Sequence, residues 1–240
     1  MAERVSEPER RPQLVQRSAI LQAAAELIAA EGYHGMSMRR LAKATGKSLA
    51  AVYNYYESKE EILFALQKEA FETLLAAAVR ALRDVHDPVA RLYVFISHHV
   101  HYFAAHPDVM RVLVHEAASL PPEKRATVRR LKERYFQIGR EIVEALREQD
   151  AGRRHSSDGP ELERVTYSLF GMLNWIYGWY EPELHGTPQD VARSIHRFAL
   201  AGILANHGPF QQLQSSMDMH LASLEAPPLL GSASLQEETG

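Results

Sequence analysis

The 240-residue sequence predicts an all-α protein in which a three-helix N-terminal head precedes a larger helical body. Three observations carry this prediction. Apolar residues recur at i, i+3/i+4 and i+7 along most of the chain. Strand signals are nearly absent: period-two alternation is never sustained, and no Asn-Gly or Asp-Gly turn joins two apolar runs. Serines that make good N-caps stand at the starts of several periodic segments.

The first helix carries Ile20, Ala24, Leu27 and Ile28 on one stripe, with Pro12 near its start and Gly32 after its last apolar residue. Ser37 caps a second, shorter helix through Met38, Leu41 and Ala42. Gly46 breaks the pattern, and Ser48 caps a third helix containing Leu49, Val52 and Tyr53. Ser58 with Glu61 forms a capping-box pattern that opens a long fourth helix running to about Arg83. Asp87-Pro88 opens another through Phe103, and His106-Pro107 interrupts it. Pro121-Pro122 precedes a helix from Lys124 to about Glu148, buried along Val128, Leu131, Tyr135, Ile138, Ile142 and Leu146. Residues 152–160 are small and polar, an internal loop. Helices over roughly Glu161–Tyr180 and Pro188–Asn206 complete the body. The Pro-, Ser- and Gln-rich tail after Gly208 is expected to be mostly disordered, although Leu213, Met217, Leu221 and Leu224 allow one short docked helix. The expected organisation is a flexible arm over 1–12, the head over 13–57, the body over 58–207 and the tail over 208–240.

The absence of cysteine excludes disulfides, Cys-type zinc sites and thiol nucleophiles, and suits a reducing cytoplasm. No apolar run approaches the ~20 residues that cross a bilayer. The charged stretch Met1–Arg10 lacks the apolar centre of a secretory signal, so a cytoplasmic chain with no membrane partner is expected. There is no Gly-x-Ser-x-Gly, no glycine-rich phosphate loop and no His-Glu-x-x-His, which argues against an enzyme. The net charge is only −3, but it is unevenly spread. Residues 10–59 hold eight basic and three acidic side chains, a net of +5, and the rest holds 19 basic and 27 acidic, a net of −8. A basic head on an acidic body is the footprint of a protein that touches phosphate with one end.

The block Ser37–Lys59 holds two short helices around a tight turn. Gly46 tolerates the positive φ of such a turn, and small Ala42 lets the helices cross closely. The second of them presents Lys47, Ser48, Ala50, Ala51 and Asn54 on one side, small or polar enough for a major groove. Leu49, Val52 and Tyr56 form the opposite, packing side. Tyr53, Tyr55 and Lys59 supply donors of the kind that fix a protein on phosphates.

The run Ile20-Leu21, Ala24-Ala25, Glu31-Gly32-Tyr33, Met36 to Ala42, Gly46, Tyr53 to Tyr56 and Ser58 to Leu63 resembles the N-terminal domain of tetracycline-repressor (TetR) family regulators. The resemblance implies a helix-turn-helix DNA-binding domain followed by a helical effector-binding and dimerisation domain. It implies phosphate contacts from Ser37, Tyr53, Tyr55 and Lys59, and positions near base edges for Arg39, Lys47, Ser48, Ala50 and Ala51. Two positions depart from the family pattern: Tyr56 stands where Phe is usual, and Lys47 where Val is usual. With Ala50-Ala51 few side chains can read bases directly, so sequence preference leans on Arg39, thymine methyls and DNA shape. The expected function is a ligand-responsive transcriptional regulator: a homodimeric repressor on double-stranded operator DNA, released by a small hydrophobic effector.

In the body the candidate effector residues are Phe71, Tyr93, Ile96, Phe103, Tyr135, Phe136, Trp175 and Tyr177. The run Phe170–Tyr180 is apolar nearly all round, as in a helix covered on several sides, and Gly171, Gly178 and Gly202 permit close helix approach. The resemblance implies that the last two helices pair with their mates in a four-helix bundle, with Trp179, Phe198 and Gly202 at the dimer interface and Leu169 and Leu173 inside one chain. The stretches around His115–Pro122, Arg134–Phe136 and Gly171–Tyr180 are similar to a subgroup in which some members respond to acyl-CoA thioesters. Arg129, Arg130, Arg134 and Arg140 offer guanidinium groups for CoA phosphates or form an ordinary solvated face. The alternative is a helical enzyme or a metal-binding protein, using His98 and His101 on one face with His99, His106, His115 and Glu116 nearby. No cofactor or metal is expected. An activator or architectural DNA-binding protein would keep the head and change only the outcome.

Overall fold

In the computed structural model, which describes residues 7–150 and 159–204, all regular structure among those residues is helical. Most of the expected internal loop and the expected docked helix around Leu213–Leu224 lie outside the described residues. The head is built on α1 (Glu7–Gly35), which buries Ile20, Leu21, Ala24, Ala25 and Ile28 along one side. It begins ahead of Pro12, so residues 7–12, expected in the arm, are helical. Proline fixes φ near the helical value and is tolerated close to a helix start. The helix breaks at Gly32, whose φ of 75° and ψ of 163° suit glycine alone.

Local chemistry starts the next three helices as the sequence predicts. Ser37 Oγ accepts the Arg40 N–H at 3.3 Å to open α2 (Met38–Ala44), and Ser48 Oγ accepts the Ala51 N–H at 3.1 Å to open α3 (Leu49–Tyr53). Each such cap contributes about 0.5–2 kcal/mol. Between them Gly46 has φ 64°, and the Lys47 N–H donates back to the Ala42 carbonyl at 2.9 Å. Leu41, Ala42, Val52 and Tyr56 fill the space against α1. Leu49, expected on that packing side, is instead 38% exposed. A helix of five residues has room for one contact stripe, and Val52 with Tyr56 one turn on occupies it. Ser58 Oγ accepts the Glu61 N–H at 3.1 Å to open α4 (Lys59–Leu82). Glu61 reaches back to the Glu57 N–H at 2.6 Å rather than to Ser58, so the box closes one residue early.

The body comprises α5 (Pro88–Ala105), α6 (Pro107–His115), α7 (Pro122–Asp150), α8 (Gly159–Asn174), a 3-10 turn (Ile176–Gly178), α9 (Pro182–His185) and α10 (Pro188–Ile203). α5 is the central rod, packed on α4, α7 and α10, while α6 lies against α1 and α4. The close helix approach is made by Gly139 on α7, where a Cβ would stand 2.8 Å from Phe170 Cε2. Gly171 and Gly202, expected in that role, face open space within the chain. The expected single helix over Glu161–Tyr180 ends at Asn174. Gly178 weakens helix continuation and Pro182 bars it, so the chain turns through Ile176–Gly178 instead.

Phe95, His99 and Phe103 stand four residues apart on α5 and all three are buried. The His99 ring lies 4.7 Å from Phe103, and its Nδ1 is 3.2 Å from the Tyr135 hydroxyl on α7. Burial pushes the imidazole down to about 3, so it is neutral inside the fold, and the same burial pushes the Tyr135 hydroxyl up. In the unfolded chain the imidazole titrates near 6.5. Unfolding therefore takes up a proton below that pH, and stability falls as the pH drops from about 6.5 towards about 3. We predict that His99→Phe removes roughly one proton of this acid-side slope. Thermal melts over the range from about pH 7 to pH 4 test this, and a slope equal to wild type contradicts it. Half-buried His98 and His196, also lowered by burial, leave a residual slope in the variant.

Candidate nucleic-acid interface and effector face

α3 is anchored by Val52 and Tyr56 and turns its other side to solvent. On that side Ser48, Ala50 and Asn54 are exposed and Ala51 half-buried, a shallow surface without bulk at its centre. Donors surround it. Tyr53 is 46% exposed, Tyr55 half-buried, and Arg39 projects from α2 in the open. Ser37 and Ser48 use their oxygens as caps, which leaves each hydroxyl hydrogen to donate. The Lys47 ammonium is held by Gln16 of α1. The Lys59 ammonium sits 4.6 Å over the Tyr33 ring and 3.4 Å from the Tyr33 carbonyl oxygen. Arg40 and Arg17, also in the basic head, are engaged elsewhere: Arg40 pairs with Glu31, and Arg17 lies over the Tyr56 ring and 3.8 Å from Glu69.

The candidate effector residues divide among several places. Phe71, Ile96, Phe103 and Tyr135 are buried in the layer between α4, α5 and α7. Tyr93 belongs to the seam with α10, where the Gln189 amide donates to its hydroxyl and His196 meets it edge-on at 5.2 Å. Phe136 belongs to the seam with α8, packed at 4.7 Å on Tyr167 and 5.2 Å on Phe170. Tyr177 sits near the end of α6, with its hydroxyl 2.9 Å from His115 Nε2. Trp175 is not enclosed. It is 60% exposed and lines an open groove of about 550 Å³ with Gly171, Met172, Trp179, Ser194, Ile195 and Phe198. Trp179 and Phe198, expected at a dimer face, therefore share one surface with a residue expected in the pocket. Phe198 is 73% exposed, and Gly202 one turn further along α10 is open.

The sequence singles out neither Met172 nor Ile195 for the groove and gives His99 no place in the core, while Phe170, in the run expected to be covered, is buried. The spacing 95, 99, 103 is a legible helical stripe, and it points His99 inward. The histidines weighed as metal ligands diverge: His99 turns to Tyr135, His101 bonds the Ser97 carbonyl, and His115 meets Tyr177. Among the described residues no three His, Asp or Glu side chains are grouped to hold a metal. Arg129, Arg130 and Arg140 pair with Glu133, Thr127 and Glu144 along the solvated face of α7, and Arg134 is exposed.

Among the described residues no helix is long and apolar enough to cross a membrane. Two family models match the chain: the bacterial regulatory proteins of the tetR family over residues 20–66, and the tetracyclin repressor-like C-terminal domain over residues 85–203. The chain is 32% identical to PfmR, a TetR family transcriptional regulator from Thermus thermophilus, with a TM-score of 0.65 over 75% of this chain and 96% of that one. It is 27% identical over 166 residues to the fatty acid metabolism regulator protein of Bacillus subtilis (strain 168), covering 69% of this chain and 82% of the relative. AibR, solved in complex with isovaleryl coenzyme A and operator DNA, is 27% identical with a TM-score of 0.66 over 76% of this chain and 97% of AibR. The matched spans hold both the capped helix pair around Gly46 and the body from α5 to α10, and the chain belongs to the TetR family of DNA-binding transcriptional regulators.

Proposed function

We propose that the protein is a dimeric repressor that a coenzyme A thioester of a hydrophobic acid releases from its operator. The observation that carries the DNA half is the exposed, small-residue side of α3, ringed by Arg39, Tyr53, Tyr55 and Lys59 and mounted on buried Val52 and Tyr56. Ser37, Tyr53, Tyr55 and Lys59 fix the head on phosphates, while Arg39, Lys47, Ser48, Ala50 and Ala51 lie near base edges with Asn54 beside them. Two heads must then stand ~34–36 Å apart, or a multiple of that, to meet successive half-sites. The apolar groove of Trp175, Trp179, Ile195 and Phe198 supplies the dimer face, since apolar surface of this kind gains by being covered. Open Gly171 and Gly202 let the partner's helices come close.

For the effector, the support is the relative named for fatty acid metabolism and the neighbour that holds isovaleryl coenzyme A. The acyl group is taken up in the aromatic layer around Phe71, Ile96, Phe103 and Tyr135, where a hydrophobic chain replaces side-chain contacts. Uptake there displaces α4, and α4 begins at Lys59 beside the DNA face. A coupling of ~1–3 kcal/mol gives a ~5–150-fold loss of operator affinity.

Three measurements test this reading. Fluorescence anisotropy on a duplex that the wild-type protein selects from a random pool gives affinity against salt. Lys59→Ala should weaken binding and lower the log–log salt slope by about one. Tyr53→Phe should weaken it with little change of slope, because the lost donor is uncharged. Wild-type affinity in both variants overturns the phosphate assignment. Phe198→Glu should convert the protein to a monomer in sedimentation velocity, and a dimer as stable as wild type rules out the groove as the interface. Isovaleryl coenzyme A and a long-chain acyl coenzyme A are the effector probes, and a duplex affinity that neither changes refutes the thioester.

A further inference from the structure

Once Gly32 leaves the helix, the backbone N–H of Tyr33 has to find an acceptor outside α1. It donates to Glu116 Oε1 at 2.9 Å, a carboxylate 83 residues away that follows directly on α6. The other oxygen of Glu116 accepts the Ser119 hydroxyl at 2.5 Å. The backbone carbonyl of Glu116 accepts the side-chain amide of buried Gln67 on α4 at 3.0 Å. Glu116 is thus fixed from both ends and lies beside the break, where a Cβ on Gly32 would stand in ordinary contact with its Oε1 at 3.7 Å. On its other side the Tyr33 residue faces Lys59, whose ammonium rests over the ring and beside the carbonyl oxygen. A single buried tyrosine therefore receives the Glu116 carboxylate on its N–H and the Lys59 ammonium, at the start of α4, on its ring and carbonyl.

We infer that Glu116 is a positioning residue for operator binding: it holds Tyr33, and Tyr33 holds the Lys59 ammonium at the DNA face. The inference rests on the reading of Lys59 as a phosphate contact. Its physical basis is the steepness of a hydrogen bond with distance. A shift of α6 by ~1–2 Å, ordinary for helices that respond to ligands, carries a 2.9 Å contact beyond bonding range. The Tyr33 amide then lies in a buried seam without an acceptor, so the residue must reorient towards water and the platform under Lys59 moves with it. Coupling by this route needs no rigid displacement of the whole of α4. It needs only α6, one carboxylate and one peptide unit.

A double-mutant cycle on the full chain tests the inference, read as affinity for a random-sequence duplex so that no operator need be known. Glu116→Ala should weaken binding about threefold or more when Lys59 is present. In the Lys59→Ala background the same change should have no effect, because its target is gone. Glu116→Gln keeps an oxygen for the Tyr33 N–H and an amide for the Ser119 oxygen, and should bind as wild type does. Glu116→Asp keeps the charge but falls short of Tyr33. It repeats the cycle if circular dichroism shows Glu116→Ala to be unfolded, and should show the same dependence on Lys59. Strictly additive effects of position 116 and Lys59 overturn the positioning role while leaving Lys59 on phosphate. Wild-type binding by Lys59→Ala overturns the phosphate contact, and the positioning role with it.

Discussion

The hydrogen bond from the Tyr33 amide to Glu116 ties the head to the body at the point where α1 breaks. Its need arises in the covalent structure of one residue. Gly32 adopts a backbone conformation that breaks α1, and the break strands a donor which the helix would otherwise have satisfied. Burial makes a stranded donor costly, so an acceptor must be delivered from elsewhere. That acceptor comes from the end of α6, which brings α6 against α1, and Gln67 brings α4 to the same point. The three elements α1, α4 and α6 therefore meet around one residue, Glu116.

The head itself separates stability from contact with unusual clarity for so short a segment. The core of what holds α2 and α3 in place is apolar and points at α1, with serine caps at the helix starts and polar ties from Lys47 to Gln16 and from Arg40 to Glu31 at the margin. The outer side is left to small residues and donors. Electrostatics follow the same division, with a basic head and an acidic body in one chain of nearly balanced charge. Such a dipolar arrangement orients the molecule towards a polyanion and keeps the body away from it.

Legibility in the sequence follows the range of the interactions. The starts of α2, α3 and α4 are readable because a cap is decided within four residues, and Ser37, Ser48 and Ser58 each bond as their spacing implies. Gly46 is readable for the same reason. The exposure of Leu49 is not, because periodicity gives a face without saying how many residues a neighbour can cover. Trp175 reads as interior because an apolar run looks alike whether its own chain or another molecule covers it. The end of α8 is hidden because an apolar run through Gly178 is a weak stop signal until Pro182 is reached. Glu116 stands out in the sequence only as a neighbour of His115, since nothing in local spacing announces a partner 83 residues distant.

Five residues make too short a helix to persist alone, because nucleation consumes most of what so few backbone bonds return. α3 exists because its cap and two anchoring side chains impose it. The surface it offers is therefore complete before any duplex arrives. No folding of the α3 backbone remains at encounter, only the ordering of exposed side chains such as Arg39 and Tyr53. Capture is therefore left to diffusion and long-range attraction, a regime in which selectivity shows itself more in how long a complex lasts than in how fast it forms.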